Sequence, residues 1–301
     1  MWIPQLACPG CRAGFGSVPE GSATACVRCG CGVERRGGVL RCIGALDSER
    51  DRLLVTQYRA VRDGDGFRRA DAQYYQTLPW VSDDDPRAAE WRIRRSSLAA
   101  LTHLVLPDPT PARHVADLGA GCGWLAHRLT EMGHAVVAVD LLDDDRDGLG
   151  ACRHYDVSFA KVQADFDALP FGDAQFDLVV FNASLHYSPD PERSLAAARR
   201  LLSPRGAIAV VDSPMFDRVA DGERMVADEL TRFAETRGVD RPVRLGVGFL
   251  TYERLDRRAG RLGLTPRFVP TRGPLVWRLR RQLGRVRLGR APATFGVWVA
   301  R

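Results

Sequence analysis

Three glycines and two aspartates near the middle of the chain have the types and spacing of a cofactor-binding loop. Gly119, Gly121 and Gly123 come directly after a short apolar run. Glycines tolerate positive φ and let a ligand approach the backbone closely. Asp117 lies two residues before the first glycine, and Asp140 ends a second apolar run. An acid at that second place can bind both hydroxyls of a ribose, so the pattern predicts a site for a ribose-containing cofactor.

Two details favour S-adenosylmethionine (SAM) over a dinucleotide in this loop. The dinucleotide fingerprint requires Gly or Ala at the position where this chain has Trp124. The carboxylate of Asp117 would repel a pyrophosphate, whereas it suits the ammonium and sulfonium of SAM. A glycine turn that binds no ligand is the remaining alternative. Asp117, Asp140 and the order of the elements that follow argue against it.

The rest of the chain alternates between strand-like and helix-like patterns. We predict strands at 158–163, 176–182, 207–212, 266–270 and 294–299, helices at 86–106, 191–202 and 223–237, and a helix-ending turn at 203–206. Strands that alternate with helices indicate an α/β fold with a doubly wound parallel sheet. Ligands of such folds bind at the carboxyl ends of the strands.

Residues 112 to about 215 resemble a class I SAM-dependent methyltransferase of the type that methylates small molecules such as quinones. The segment 117–123 matches the first motif of that family, and Asp140 matches its ribose acid. Asp165, with the backbone at Phe166, matches the adenine-reading position, and 182–187 matches the fourth motif, beside the reacting methyl. The resemblance implies these cofactor-binding residues: Asp117, Gly119, Gly121, Gly123, Asp140, Leu141, Asp165, Phe166 and Asn182.

The same resemblance implies a seven-stranded Rossmann-like sheet whose last two strands, 266–270 and 294–299, form an antiparallel hairpin. It covers about a third of the chain. It is specific for the cofactor and leaves the acceptor open. Two features depart from the family pattern: Leu141 follows the ribose acid, and three acids occupy 143–145. We interpret 143–145 as a solvated loop.

A cysteine cluster near the start of the chain has metal-binding spacing. Cys8 and Cys11 form one CxxC pair, and Cys26 and Cys29 form a second. Two such turns can place four thiolates around a tetrahedral zinc ion, so we predict a zinc-ribbon module at 1–45. Disulfides are the alternative, and a cytoplasmic location argues against them.

Two further cysteines lie in the same module. Cys31 could replace Cys29 as a ligand, whereas Cys42 is expected to pack as a small apolar residue. About 40 residues bury little core, so the metal would supply the folding energy of the module. A zinc ribbon before a SAM domain also occurs in bacterial ribosomal RNA guanine methyltransferases, where the ribbon helps to hold RNA. A ribbon can equally serve as a lid or a dimer contact.

The basic residues concentrate at the end of the chain. Residues 257–301 contain twelve arginines and no acid, whereas the whole chain has a net charge of only +6. The body is therefore acidic, and the segment 272–290 is strongly basic. That segment could bind RNA phosphates, lie on an anionic membrane or a lipidic substrate, or pack as a solvated helix.

Two further segments are expected to lie near the acceptor. We divide the chain into the module at 1–45, a helical linker and lid at 46–110, and the methyltransferase domain at 111–301. By resemblance, Tyr74 and Tyr75 in the linker are substrate-side lid residues, with ordinary packing as the alternative. The segment 214–250 would cap the acceptor.

A base is needed if the acceptor loses a proton when it is methylated. His186, four residues after Asn182, is the first candidate, because a neutral imidazole accepts a proton near neutral pH. A histidine that only shapes the pocket or a turn is the alternative. Asp212, at the end of the fifth predicted strand, is a second candidate.

These observations favour a SAM-dependent methyltransferase that acts on a small molecule. An RNA methyltransferase of the guanine type is the alternative, and a non-catalytic SAM-binding protein is a third reading that the three acids Asp117, Asp140 and Asp165 argue against. No apolar run approaches the roughly 18 residues of a membrane span, and the first residues do not resemble a signal peptide. We therefore expect a cytoplasmic protein of unknown oligomeric state.

Overall fold

The computed structural model describes residues 2–42, 49–106, 111–237, 246–271 and 289–301. Its strands are β1 (Ala23–Ala25), β2 (Gly32–Arg36), β3 (Val39–Arg41), β4 (His114–Leu118), β5 (Ala135–Asp140), β6 (Ala160–Gln163), β7 (Phe176–Asn182), β8 (Leu202–Val211), β9 (Met215–Phe216), β10 (Leu250–Thr251), β11 (Pro266–Pro270) and β12 (Gly296–Ala300). Its helices are α1 (Glu49–Gly64), α2 (Ala72–Thr77), α3 (Ala88–Val105), α4 (Trp124–Glu131), α5 (Pro191–Leu201), α6 (Val219–Arg237) and α7 (Tyr252–Arg261), with short 3-10 turns at Leu149–His154 and Leu185–Tyr187.

One ten-stranded sheet runs through the described part of the chain, in the order β1-β2-β3-β6-β5-β4-β7-β8-β12-β11. The strands from β3 to β8 are parallel, and β12 and β11 close the far edge as an antiparallel hairpin. Seven of these strands form the predicted Rossmann-like methyltransferase sheet, in the order β6, β5, β4, β7, β8, β12 and β11, which confirms the fold class. The three strands of the cysteine-rich head extend the same sheet.

The central strands are apolar along their whole length because helices cover both faces of the sheet. Every residue of β7 except Asp177 is buried, as are the inner four residues of β5. Such near-continuous apolar runs are typical of parallel strands buried on both faces. One face packs against α5 and α7, and the other against α2, α3 and α4.

Several predicted boundaries differ from the structure, including the strands predicted to begin at 158 and 294, which begin at Ala160 and Gly296. The fifth strand of the methyltransferase sheet begins at Leu202 rather than at 207, because 203–206 continues β8 instead of forming the predicted turn. An irregularity in the β7–β8 register between Phe176 and Leu178 accommodates this segment. The helix predicted at 223–237 begins earlier, at Val219. The predicted helix at 86–106 is α3, two residues shorter at its start and one at its end.

Two predicted segments fall wholly or partly outside the described residues. The basic segment 272–290 lies outside them except for its last two residues. The predicted cap at 214–250 is described at 214–237 and at 246–250. None of the described helices combines the length and apolar content needed to cross a bilayer.

Candidate functional site

The glycine loop joins the carboxyl end of β4 to the start of α4. Gly119, Gly121 and Gly123 have φ of +75°, +54° and +76°, which L residues rarely adopt. The amides of Gly119 and Ala120 both donate to the carbonyl of Val139, at 2.8 and 3.0 Å, which fixes the loop against β5. The glycines are therefore required by the backbone path, as their spacing predicts.

Gly119 also brings the loop against two other predicted site segments. A Cβ at this position would lie 2.3 Å from Cβ of Ser184 and 3.1 Å from Cζ of Phe166. The hydroxyl of Ser184 donates to the carbonyl of Leu118 at 2.5 Å. The structure thus brings together the glycine loop, the adenine-side residue Phe166 and the 182–187 segment, which are far apart in sequence.

Asp140 ends β5 beside the glycine loop, as predicted. Its two carboxylate oxygens accept hydrogen bonds from the amides of Gly121 and Leu142, at 2.7 and 2.8 Å. Burial raises the pKa of Asp140 to about 6, although these two amides act in the opposite direction. The bonds hold the carboxylate at the carboxyl edge of the sheet, where a ribose would bind.

Asp117 is fully buried at the end of β4. Neither of its carboxylate oxygens has a hydrogen-bond partner of good geometry among the described residues, although the backbone amide of Ala126 lies close enough to oppose the rise in its pKa. Burial, together with the neighbouring charge of Asp140, raises the pKa of Asp117 to about 7. A buried carboxylate without partners is costly, so this side chain calls for a cationic donor that the described protein residues do not supply.

The two residues predicted to bind adenine, Asp165 and Phe166, follow β6. Asp165 is exposed and accepts a hydrogen bond from the amide of Asp167 at 2.8 Å. Phe166 meets Phe181 edge to face at 5.6 Å. The amide of Ala164 donates to the carbonyl of Asp140 at 3.1 Å, which places this loop next to the ribose acid.

Asn182 lies at the end of β7, adjacent to β4 in the sheet. It is buried, and its side-chain oxygen has no hydrogen-bond partner among the described residues. The next residue, Ala183, has φ of +52°, so the chain turns sharply here into the 3-10 turn that carries His186. A second unpaired acceptor at the same sheet edge as Asp117 is consistent with a polar ligand there.

His186 is buried, and its Nδ1 lies 3.2 Å from Oγ of Ser213. Its carbonyl accepts a hydrogen bond from the amide of Gly248 at 2.8 Å. The carboxylate of Asp212 lies elsewhere: it accepts a hydrogen bond from Ser97 of α3 at 2.6 Å, and burial raises its pKa to about 6. Asp212 is therefore tied to α3 on the helix side of the sheet, whereas Ser213 holds the ring of His186.

Tyr74 and Tyr75 are both buried in α2. The hydroxyl of Tyr75 is within 2.6 Å of the carbonyls of Arg69 and Arg146, and its ring stacks on His154 at 4.8 Å. The ring of Tyr74 packs edge to face against Trp91 at 6.3 Å. These contacts favour the packing alternative over a direct contact with the acceptor.

Sequence reasoning missed a contact between α1 and the cofactor side of the sheet. Arg62 forms a two-pronged ion pair with Asp147, at 2.6 and 2.7 Å, and Asp147 is only 2% exposed. Arg59 lies 3.3 Å from Asp144. The matching i, i+3 spacing of the two arginines and the two acids was the available signal.

The interpretation of 143–145 as a solvated loop is therefore wrong for two of its three acids. Asp144 pairs with arginines of and after α1, and Asp143 pairs with Arg41 of the head at 2.8 Å. Asp145 is exposed, as expected. The loop that follows Asp140 is therefore anchored to the head and to α1 by the ion pairs of Asp143 and Asp144.

Tyr58 of α1 meets Tyr187 edge to face at 6.1 Å. This contact places α1 above the turn that carries His186. Gly246 lies beneath the same turn, since a Cβ there would come within 2.2 Å of the Tyr187 carbonyl carbon. The 182–187 segment is thus enclosed from one side by α1 and from another by the chain that follows 246.

The four predicted cysteine ligands converge in the head. The sulfur atoms of Cys8, Cys11, Cys26 and Cys29 all lie within 4.8 Å of one another. Tetrahedral zinc with sulfur at about 2.3 Å would space its ligands about 3.8 Å apart. The pairs Cys8–Cys29 and Cys11–Cys26 are each 3.5 Å apart, so the donor set fits.

The clustered thiols shift one another's ionisation in opposite directions: a backbone hydrogen bond from Cys31 favours the thiolate of Cys29, but the neighbouring thiols of Cys8 and Cys11 raise its pKa to about 12. Burial opposes ionisation of Cys8, but backbone amides of Cys11 and Gly10 and neighbouring thiols donate to its sulfur and lower its pKa to about 6. Cys31 lies outside the group of four. Cys42 is buried in the core, as predicted, and burial raises its pKa to about 12.

The sequence matches the model of a methyltransferase domain family over residues 116–210. An uncharacterized methyltransferase of Mycobacterium bovis is 36% identical over 103 residues, which cover 34% of this chain and 41% of the relative. A ubiquinone/menaquinone biosynthesis C-methyltransferase of Vibrio vulnificus is 31% identical over 121 residues, 36% of this chain and 44% of the relative. The chain thus spans less than half the length of these curated relatives.

A magnesium protoporphyrin IX methyltransferase from Synechocystis PCC 6803, solved with bound S-adenosylhomocysteine (SAH), has a similar fold. It superposes with a TM-score of 0.51 over 82% of this chain and 98% of its own, at 14% identity. This likeness concerns the fold, and the sequence matches concern the segment that forms the glycine loop and the strands around it. On these findings, the chain contains a class I SAM-dependent methyltransferase domain.

Proposed function

We propose that the protein transfers a methyl group from SAM to a small-molecule acceptor. The observation that carries this proposal is Asp117, whose buried carboxylate beside the glycine loop lacks a well-placed hydrogen-bond donor in the part of the chain that the structure describes. The ammonium of SAM would donate to both oxygens and neutralise the charge. A dinucleotide would instead bring a pyrophosphate to this carboxylate.

The remaining cofactor contacts follow from the sheet edge. Asp140 would bind the ribose hydroxyls, and the backbone around Leu141 would face the adenosine. Asp165 and Phe166 would bind the adenine, while Asn182 would bind near the methyl. Gly119 and Gly123 let the loop pack closely on the protein at this sheet edge, because a Cβ at either position would lie within 3 Å of a neighbouring side chain.

SAM supplies a methyl group already activated by its sulfonium. The protein must then align the acceptor and accept the proton that it loses. His186 is our candidate base, since Ser213 and Gly248 hold its ring and its backbone. Asp212 stays a second candidate, whose carboxylate would need to leave Ser97 to act.

Enclosure of the site favours a small acceptor. α1 lies over the 182–187 turn through Tyr58 and Tyr187, and Gly246 packs beneath it. A buried, aromatic-lined site suits a compact molecule better than a polymer. The Vibrio vulnificus relative is named for quinone biosynthesis, which agrees with an acceptor of this class.

The head would bind a structural zinc ion through Cys8, Cys11, Cys26 and Cys29. Four thiolates leave no open coordination position, so the metal would stabilise the fold of the head rather than take part in the chemistry. Metal analysis of the purified protein would give one zinc per chain, lost in a Cys8→Ser, Cys26→Ser variant.

Two measurements test the proposed function. Calorimetry should detect SAH binding to the wild type and much weaker binding to Asp117→Asn. Labelled SAM should then transfer its methyl into the low-mass fraction of a bacterial extract. Label confined to RNase-sensitive polymer would contradict the small-molecule acceptor, and no SAH binding would contradict the function altogether.

A further inference from the structure

The cysteine-rich head is joined to the cofactor side of the sheet by a strand. β3 of the head pairs in parallel with β6, in the register Val39↔Lys161, Leu40↔Val162 and Arg41↔Gln163. The amide of Cys42 then donates to the carbonyl of Gln163 at 2.9 Å. β6 leads directly into the adenine-side residues 164–166, so the head borders the adenosine half of the site.

Arg41 connects the head to the loop that follows the ribose acid. Its guanidinium contacts Asp143 twice, at 2.9 Å through Nε and 2.8 Å through Nη2. Its Nη1 donates to the carbonyl of Arg36 at 2.7 Å, which fixes the guanidinium to β2. Arg41 therefore joins a strand of the head to a residue three positions after Asp140.

The two loops around the adenosine site are also bonded to each other. The side-chain amide of Gln163 donates to the carbonyl of Leu141 at 2.9 Å. The amide of Ala164 donates to the carbonyl of Asp140 at 3.1 Å. Since Gln163 pairs with β3 and Asp143 pairs with Arg41, the head contacts both loops at once.

The head and the sheet share one hydrophobic core. Leu6, Val33 and Leu40 belong to the same buried cluster as Val139 of β5 and Val162 of β6. The four cysteines close the other end of the head, where a bound metal would join Cys8 and Cys11 to the turn before β2 that carries Cys26 and Cys29. Loss of the metal would therefore free β2 and β3 and withdraw support from both cofactor loops.

We propose that Arg41 is a positioning residue for SAM, and that metal in the head and SAM in the pocket consequently bind cooperatively. This inference rests on the proposed function for both ligands. Arg41 would act through Asp143, while the backbone carbonyl of Arg36 holds its guanidinium in place. Thermodynamic linkage then requires that metal strengthens SAM binding and that SAM strengthens metal binding by the same factor.

The decisive variant is Arg41→Gln, which leaves all four cysteines in place. We expect it to keep its zinc content and its melting temperature, but to weaken SAH binding in calorimetry about threefold to fivefold. Arg36→Gln is the matched control, because the substitution keeps the backbone carbonyl that Arg41 contacts and removes only an exposed side chain that lacks an ion pair among the described residues. Asp143→Asn should give the same loss, and the Arg41→Gln, Asp143→Asn double variant should lose no more than either single variant.

Reciprocity supplies the second measurement. SAH should slow the release of zinc to a chelator from the wild type, and less so from Arg41→Gln. Wild-type SAH affinity in Arg41→Gln, or zinc release that ignores SAH, would overturn the inference. A wild-type protein that binds no SAH would overturn the proposed function as well, so the two failures can be told apart.

Discussion

Nδ1 of His186 and Oγ of Ser213 lie 3.2 Å apart between two adjacent strand ends, and both side chains are buried. The residues follow β7 and β8, which pair in parallel. A hydroxyl in contact with one ring nitrogen helps to fix the plane of the imidazole, and it can do so in either tautomer because a hydroxyl both donates and accepts. The pair therefore has the geometry of a held base, with Ser213 as its positioning residue.

We expect His186→Asn to lower kcat by about 10²- to 10⁴-fold, the usual contribution of a general base. Ser213→Ala should lower it about tenfold, since one hydrogen bond is lost while the imidazole stays. SAH affinity should stay within twofold in both variants. Steady-state kinetics with the identified acceptor and calorimetry with SAH check this.

Ser203→Ala serves as the control, because its hydroxyl bonds Asp177 at the opposite end of the sheet. Full activity in His186→Asn would exclude His186 as the base and direct attention to Asp212→Asn.

Cofactor affinity should depend on pH through Asp117. Its pKa of about 7 in the ligand-free protein means that its carboxyl is increasingly protonated below neutral pH. A protonated Asp117 does not attract an ammonium, so the Kd for SAH should rise by up to tenfold per pH unit below about 7. Calorimetry between pH 5.5 and 8 checks this.

Asp117 should give the stability of the protein a pH dependence opposite in sign to that of SAH affinity. Because the folded protein holds this proton more tightly than the unfolded chain does, the contribution of Asp117 to stability falls as pH rises from 3.8 towards about 7. Asp117→Asn should remove both dependences and weaken SAH binding about tenfold or more at pH 8. A pH-independent Kd in the wild type would contradict this role.

The core of the fold could be predicted because its signals are local. The apolar run of β7 and the glycine spacing after β4 specify a buried strand and a tight loop within a few residues of sequence. The pairing of β3 with β6 could not, because a three-residue strand carries no periodicity and its partner lies about 120 residues away. The head was therefore predicted as a separate module rather than as part of the sheet.

The site also divides into residues that could be predicted from local sequence signals and residues that could not. Asp117, Asp140 and Asn182 are each the last or last but one residue of an apolar strand, so their common sheet edge could be predicted from topology. The enclosure by Tyr58 and the anchor at Asp147 depend on which helix docks over the site. The three consecutive acids at 143–145 led to the prediction of a solvated loop. Their partner arginines are distant in sequence, and only the folded structure brings them together.

Gly119→Ala should be more damaging than a comparable change at a glycine without neighbours. Both strain at φ of +75° and the contact of a Cβ with Ser184 act at Gly119. We expect a loss of about 2–4 kcal/mol in the free energy of unfolding and loss of SAH binding. Denaturation in urea and calorimetry check these outcomes.

Gly133→Ala is the matched control, since Gly133 has φ of +88° and no atom within 4 Å of a Cβ. Strain alone should cost about 1–2 kcal/mol there and leave SAH binding intact. Equal losses in the two variants would show that packing against Ser184 and Phe166 is unimportant.

The Arg62–Asp147 pair should hold α1 over the site. Arg62→Met leaves Asp147 buried without its ionic partner, which we expect to cost about 2–3 kcal/mol after allowance for the partial exposure of Arg62. Arg59→Met should cost less than about 0.5 kcal/mol, because Arg59 is 42% exposed.

Hydrogen exchange should then be faster across 53–64 in Arg62→Met than in Arg59→Met. Adding Asp147→Asn to Arg62→Met should recover part of the loss, since the stranded charge is removed. If the two arginine variants exchange at the same rate, α1 is held by its apolar contacts, such as Tyr58 against Tyr187, and not by this ion pair.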